Sequence, residues 1–307
     1  MNLAIFIRRA IWLPVWLLFS CSPGTQPVTN ADRIVCLGGG ITEIVYALDA
    51  GTHVVGVDTS SLYPTAAQEL ATLGYHRQVS VEGVLSLRPT LVIASDESGP
   101  PEALDQIRAA GVDVRQIESP ADVDSTIERI ESIATLLNRP ERGAGLIASL
   151  QNDLETTREH LQTVPEAERV RAAFIYVRGA KVLLAAGKYS PAARMLELAG
   201  AENALDDFYG FKPLQAESLV AAQPDAIVML TRGVESIGGP EQILELPGVA
   251  LTPAGKNRRF IIVDDALFSG FTHRLGQAIA DLGGRLYPAM QSRLSGVQGQ
   301  RDLTATD

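Results

Sequence analysis

A segment that occurs twice constrains this 307-residue chain more than any other feature. The first copy reads SVEGVLSLRPTLVI from Ser80, with Glu82 and Pro89. The second reads QAESLVAAQPDAIV from Gln215, with Glu217 and Pro224. In each, a Glu stands seven residues before a Pro, and an apolar strand follows. Each Glu falls in the first turn of a short helix, where the backbone dipole favours an acid. One chain that uses the same local design twice is expected to fold as two similar lobes.

The surroundings of both copies alternate short apolar runs with helical stretches. Residues 33–37 read as a strand, and Gly38, Gly39 and Gly40 as a tight turn. Thr42 reads as the cap of a helix to Asp49, which Gly51 ends. Residues 54–57, 91–94 and 114–117 are further strands, with a helix from Pro101 to Gly111 before the last. The pattern restarts with strands at 171–176 and 182–185. Ser190-Pro191 is a helix start with Ser as cap and Pro at the first helical position. Strands at 226–230 and 260–263 and a closing helix at 272–286 complete it. Such alternation predicts parallel sheets covered by helices. Between the halves lie helical stretches at 121–138 and 140–163, split by Pro140; the second would reach roughly 33 Å and contains nothing hinge-like. The expected fold class is therefore α/β: two Rossmann-like lobes with parallel sheets, joined by one long rigid helix, with a modestly mobile ligand cleft between them. The expected bounds are 33–139 for the N-terminal lobe, 140–164 for the connecting helix, 165–290 for the C-terminal lobe and 291–307 for a polar tail.

The N-terminus reads as an export address. Arg8 and Arg9 precede an apolar run from Ile11 to Phe19, shorter than the ~20 residues of a membrane span. These are the proportions of a secretory signal over residues 1–20. Leu-Leu-Phe-Ser-Cys at 17–21 resembles the bacterial lipobox, which makes Cys21 a lipidation site and 21–32 a tether rich in Pro, Ser, Thr and Asn. A plain signal peptide cleaved elsewhere is the alternative. Both readings place the protein outside the cytoplasm, in the periplasm or on the outer face of the cytoplasmic membrane, touching membrane only through a lipid.

The formal net charge is −10, and loss of Arg8 and Arg9 with the signal makes it more negative by two. Such a body does not suit non-specific binding to nucleic acid or anionic lipid. With Cys21 lipidated, Cys36 has no disulfide partner; it lies in an apolar run and reads as a buried small hydrophobe. The Gly38–Gly40 turn departs from a dinucleotide fingerprint, because Glu43 stands where the third Gly belongs. His53, His76, His160 and His273 are scattered without metal-site spacing. There is no P-loop, CxxC or nucleophile elbow, so no enzyme motif is written in the sequence; the binding-protein reading, not an enzyme, comes from the resemblance that follows.

Lipobox, two α/β lobes, a long connecting helix and the paired Glu/Pro segments together resemble the substrate-binding proteins of ABC importers for iron complexes and cobalamin. More narrowly, GYHRQVSVEGVLSLRPTLVIAS (74–95) and LGGGITEIVYAL (37–48) resemble the HmuT-like haem-binding members. The segments at 217–233 and 246–265 are also similar, and the resemblance covers residues 33–288. It implies a lipoprotein that captures ferric haem as its transported ligand. Its partners would be an ABC permease homodimer with its ATPase and, upstream, an outer-membrane haem receptor system. Cobalamin or a ferric siderophore is the alternative ligand, and an exported α/β enzyme using the same cleft is the alternative from another class.

The resemblance also assigns roles. Tyr75, after Gly74, matches the Tyr ligand to haem iron. Ferric iron prefers an anionic oxygen, and although a free phenol ionises only near pH ~10, a bound cation and a neighbouring positive charge favour phenolate. Arg77 would supply that charge and hydrogen-bond the phenolate. His76 is the rival ligand, or a propionate partner, or an ordinary exposed loop residue; adjacent residues on extended chain point opposite ways, so Tyr75 and His76 do not both reach one iron. Tyr63 and Ser98 follow strands and are pocket candidates. Tyr189 is a second-side ligand or stacking wall, or merely packs, and Arg232 faces the haem from the opposite lobe or pairs with a propionate, with an ordinary surface Arg as the alternative. Phe271 is an apolar wall, for which core packing is an equal explanation. Glu82 and Glu217 would dock on the two halves of the permease.

Overall fold

A computed structural model describes residues 31–179 and 181–298. The signal at 1–20 and Cys21 lie outside the described residues. Among those described, no helix is long and apolar enough to cross a membrane.

The first half forms a five-stranded sheet: β1 (Ile34–Leu37), β2 (Val54–Val57), β3 (Ala71–Thr72), β4 (Leu91–Ser95) and β5 (Asp113–Ile117). All pairings are parallel, in the order β3-β2-β1-β4-β5. Helices α1 (Gly39–Ala47), α2 (Thr65–Gln68), α3 (Val81–Ser86) and α4 (Pro101–Ala109) connect the strands. β1 is buried along its whole length, as a central parallel strand covered on both faces must be. Its neighbours β2 and β4 leave in opposite directions, and the crevice at such a switch point is where doubly wound sheets take ligands.

Helices α5 (Val123–Leu136) and α6 (Pro140–Leu161) lead to the second half. Its strands are β6 (Arg171–Arg178), β7 (Val182–Ala186), β8 (Glu202–Asn203), β9 (Phe211–Pro213), β10 (Ala226–Leu230) and β11 (Phe260–Val263), and its helices are α7 (Pro191–Leu198), α8 (Ala216–Ala222), α9 (Thr231–Ser236), α10 (Pro253–Lys256), α11 (Asp265–Ser269), α12 (Leu275–Leu286) and α13 (Gln291–Gln298). This sheet corrects the expectation of two parallel sheets. β6, β8, β10 and β11 pair in parallel, but β7 pairs antiparallel with both β6 and β9. Three residues separate β6 from β7, far short of the dozen a parallel crossover needs. Two smaller corrections follow. Thr42 does not cap α1 but sits inside it, its hydroxyl bonded to the Gly38 carbonyl and to Ser61 Oγ. The polar tail expected from residue 291 is helical to Gln298 and buries Leu294 against the core.

One apolar core runs through both halves. It joins Ile34, Cys36 and Ile93 of the first sheet to Phe174, Val228 and Val263 of the second through Ile130 and Ile133 of α5, Leu150 and Leu161 of α6, and Ile279 and Leu282 of α12. The 22-residue α6 is tied down near both ends. Arg142 Nε donates to the Ala47 carbonyl at 2.9 Å, while Leu161 packs on Gly283 of α12. Burial of such residues contributes about 1.5–3 kcal/mol per large side chain, so the link between the halves is a packed structure rather than a free tether. Cys36 is wholly buried, and burial pushes its thiol pKa far up, which makes it an inert core residue.

Candidate functional site

The strand ends of both sheets open on one cleft of about 770 Å³. From the first sheet come the Gly38–Ile41 turn after β1 and Ser95–Glu97 after β4; from the second come Tyr176–Arg178 of β6 and Leu230 of β10. The glycine turn is forced by its neighbours. Gly38 has φ 116°, and a Cβ on Gly39 would lie 2.3 Å from the Ser60 carbonyl. A Cβ on Gly40 would meet the Gly270 carbonyl at 2.8 Å, so two loops close over this turn.

Asp58, at the end of β2, is the anchor of this wall. Its Oδ1 accepts from the Gly38 N–H (2.9 Å) and the Ser61 hydroxyl (3.0 Å). Its Oδ2 accepts from the Ser60 N–H (2.9 Å), the Ser60 hydroxyl (2.6 Å) and His76 Nδ1 (3.1 Å). Burial alone would raise the Asp58 pKa; the bonds from His76, Ser60 and Gly38 overcome it and hold it at about 2. An acceptor-only carboxylate makes Nδ1 the protonated nitrogen of His76 and leaves Nε2 on the side of Glu97, 4.0 Å from Oε2. His76 is therefore not an exposed loop residue: it is buried, and its ring meets that of Tyr75 edge-on at 4.4 Å.

Tyr75 follows Gly74, whose φ of 84° turns the chain into the cleft. The Tyr75 side chain lines the cleft and is 41% exposed, whereas most tyrosines of a fold pack. Arg77 is next to this wall rather than in it. Its guanidinium pairs with Glu97 at 2.6 Å, and that pairing, with the charge of Tyr75 also in reach, raises its pKa against the lowering effect of burial. No hydrogen bond joins Arg77 to the phenol.

Tyr63 also lines the cleft, and the Arg274 guanidinium lies 3.6 Å over its ring. Arg274 is gripped by the buried Glu43, through Nε at 2.9 Å and Nη2 at 2.6 Å, and the Thr272 hydroxyl donates to the same carboxylate. Burial would lower the Arg274 pKa; Glu43 outweighs it and raises it. Glu43 belongs to the first half and Arg274 to the last loop before α12, so this buried pair fastens the two halves at the cleft floor. Arg129 acts alongside. Nearly buried, it donates to the carbonyls of Phe271 (2.9 Å), Pro120 (2.9 Å) and Glu118 (3.3 Å). Phe271, held by these bonds at φ 44°, is buried and contributes to both cleft and core.

Arg232 lines the cleft from the first turn of α9, and its backbone N–H donates to Asp265 Oδ2 at 3.0 Å. Two expected pocket residues do not reach the cleft. Ser98 is buried in a turn, its hydroxyl bonded to Ser95 Oγ and to the Leu37 carbonyl. Tyr189 has φ 57°, is 86% exposed and stacks on Tyr209 at 5.5 Å outside the cleft. The strand before it is antiparallel, which carries Tyr189 to the far end of the sheet. Glu82 and Glu217 both stand exposed in the first turns of α3 and α8, so the duplicated segments do present two matching acids at the surface. Sequence reasoning missed Glu43, Asp58, Arg129 and Arg274, whose places at the site come from partners 18 to 231 residues away.

Two walls of strand ends around a cleft, bridged by a packed helix, define a bilobal solute-binding protein. The chain belongs to the periplasmic binding protein family, whose profile matches residues 34–267. Among solved structures it is similar to the periplasmic heme-binding protein RhuT of Roseiflexus sp. RS-1 in apo form, at 42% identity and a TM-score of 0.81 over 85% of this chain and 100% of that one. It is also similar to the periplasmic heme-binding protein BhuT in complex with two hemes, at 36% identity and 0.76 over 86% and 98%. Among curated relatives, the ABC transporter substrate-binding lipoprotein YvrC of Bacillus subtilis is 31% identical over 83% of this chain and 80% of its own length. More distant relatives include a vitamin B12-binding protein of Vibrio vulnificus, at 25% identity over 81% and 86%.

Proposed function

We propose that this protein is the haem-binding component of an ABC importer, an exported and lipid-anchored carrier that takes ferric haem in its cleft and passes it to a permease and ATPase. The observation that carries the reading is Tyr75: an accessible phenol on the wall of a 770 Å³ cleft, in a chain 42% identical to RhuT. The volume falls in the ~300–1,000 Å³ range of small-molecule sites. Phenolate is an established ligand type for ferric haem. The Thr59 N–H donates to the Gly74 carbonyl on one side of Tyr75, and on the other the Gly99 N–H donates to the His76 carbonyl while Asp58 holds the His76 ring, which supports a phenol presented by a fixed frame. Arg77, paired with Glu97, acts as a neighbouring charge rather than through a direct bond to the phenol. Glu82 and Glu217 are the docking acids, one for each half of a two-fold permease, and residues 33–139 and 165–290 are taken as the two lobes. The protein acts by binding and release, and no reaction is assigned to the cleft.

A cobalamin carrier is the second reading, favoured by the vitamin B12-binding relatives. Titrating the purified apoprotein with hemin and with cyanocobalamin separates the two. Saturable hemin binding with a ferric high-spin charge-transfer band near roughly 600–630 nm, undisturbed by excess cobalamin, is expected. Tight cobalamin binding with displacement of hemin would replace the haem reading.

A further inference from the structure

Arg77 stands two residues from Tyr75, yet its guanidinium is turned to Glu97, with Nη2 on Oε2 at 2.6 Å. The same carboxylate oxygen lies 4.0 Å from His76 Nε2. Glu97 therefore faces both residues that follow Tyr75, and like Tyr75 it lines the cleft. The phenol remains within reach of the charge on Arg77.

Both side chains of the pair are about half-exposed, and such pairs are usually weak, because holding two long side chains in one geometry costs entropy. Here the backbones beneath them are fixed. The Gly99 N–H donates to the His76 carbonyl at 2.9 Å, and the Val79 N–H donates to the Gly99 carbonyl at 2.8 Å. The chain is thus stitched, on both sides of Arg77, to the turn that carries Glu97. That turn is pinned in its own right. Ser98 Oγ lies 3.0 Å from Ser95 Oγ and donates to the Leu37 carbonyl at 3.3 Å. Ser98 serves the site by this route without reaching the cleft.

We propose that Glu97 is a positioning residue: it holds the Arg77 guanidinium out of hydrogen-bond reach of the Tyr75 oxygen, and so sets how strongly that oxygen donates to a bound metal. This rests on the haem reading and deepens it. A guanidinium bonded to a phenolate would draw on the lone pairs that bind the iron, since charge-assisted hydrogen bonds are the strong ones. Kept on Glu97, Arg77 acts on the phenolate through space, with its charge partly offset by the carboxylate. Outer partners of a ligating side chain tune the metal in this way. For a carrier the consequence is a grip set between capture and release.

The test is the ferric hemin complex of wild type, Glu97→Gln and Glu97→Gln/Arg77→Gln. In Glu97→Gln the freed guanidinium reaches the phenolate, so the phenolate-to-iron charge-transfer band should move to shorter wavelength. Hemin loss to excess apomyoglobin should become roughly threefold faster, an effect of the size of one half-exposed ion pair. The double variant has no guanidinium to misplace, and its band and loss rate should return to those of the wild type. Far-UV circular dichroism and a thermal melt check the fold of both variants. A Glu97→Gln complex with an unmoved band, or one moved to longer wavelength, overturns the role of Glu97 and leaves the haem reading intact. A shift that persists in the double variant also overturns it, because Glu97 would then not act through Arg77. A wild-type protein that binds no hemin, or whose hemin spectrum does not depend on Tyr75, overturns the haem reading and this inference with it.

Discussion

Replacing Asp58 by Asn tests whether one carboxylate frames the cleft wall. Asp58 accepts five hydrogen bonds, split two and three between its oxygens. Asn keeps an acceptor on one branch only and turns an NH2 toward donors on the other. With its oxygen on the His76 side, the Gly38 N–H at least is stranded in a buried site, and the charge that strengthened the remaining bonds is gone. A loss of about 3 kcal/mol at pH 7 is expected. The pH dependence gives an independent reading of the same site. A pKa lowered from 3.8 to about 2 in the folded state corresponds to about 2.5 kcal/mol of stability. The sign follows from the lowering: this contribution is complete above pH ~4 and is lost as pH falls, by about 1 kcal/mol at pH 3 and about 2 kcal/mol at pH 2. Urea denaturation of wild type and Asp58→Asn at pH 7 and pH 3 measures both effects, and the gap between the proteins should shrink by about 1 kcal/mol at the lower pH. A gap below about 1 kcal/mol at pH 7, or one that does not change with pH, refutes the assignment of Asp58 as an ionised anchor.

Three further outcomes are expected. Glu43→Ala leaves the buried Arg274 uncompensated and should cost about 3–5 kcal/mol, whereas Glu43→Ala/Arg274→Met should recover part of it, as a double-mutant cycle by denaturation will read. Ser190→Ala removes the cap of α7, which accepts from the Ala193 N–H at 3.1 Å, and should lower stability by about 1 kcal/mol in the same assay. Charge reversal at the exposed acids, Glu82→Lys with Glu217→Lys, should leave hemin titrations unchanged and abolish transport into proteoliposomes that contain the cognate permease and ATPase.

What could be read in the sequence was local. The Glu/Pro repeat places α3 and α8 in matching positions because a capped helical turn followed by a buried strand is written in neighbouring residues. Ser190-Pro191 starts α7 for the same reason. The antiparallel β7 was also legible, since Gly179 to Lys181 is too short for a crossover; the alternation of strands and helices elsewhere concealed it. Tyr189 illustrates the cost: once β7 runs backwards, the residue after it leaves the cleft. Other parts of the site were not legible. Nothing near Glu43 announces Arg274, 231 residues on, and a lone Glu on an apolar helix face gives no sign that it will be buried beneath a cleft. His76 read as a loop residue because its partner Asp58 lies on a separate strand end, and only the sheet order brings them to 3.1 Å. Tyr75 was singled out through the Gly-Tyr-x-Arg-Gln resemblance, and its exposure on the cleft wall follows from the positive φ of Gly74.

The central claim is that the phenol of Tyr75 takes the iron of a bound haem. Absorption and electron paramagnetic resonance spectra of the ferric complex, recorded for wild type and Tyr75→Phe at equal hemin, test it most directly. The account predicts a high-spin phenolate spectrum in the wild type that Tyr75→Phe abolishes, with weaker binding. The same spectrum and affinity in both proteins would contradict it.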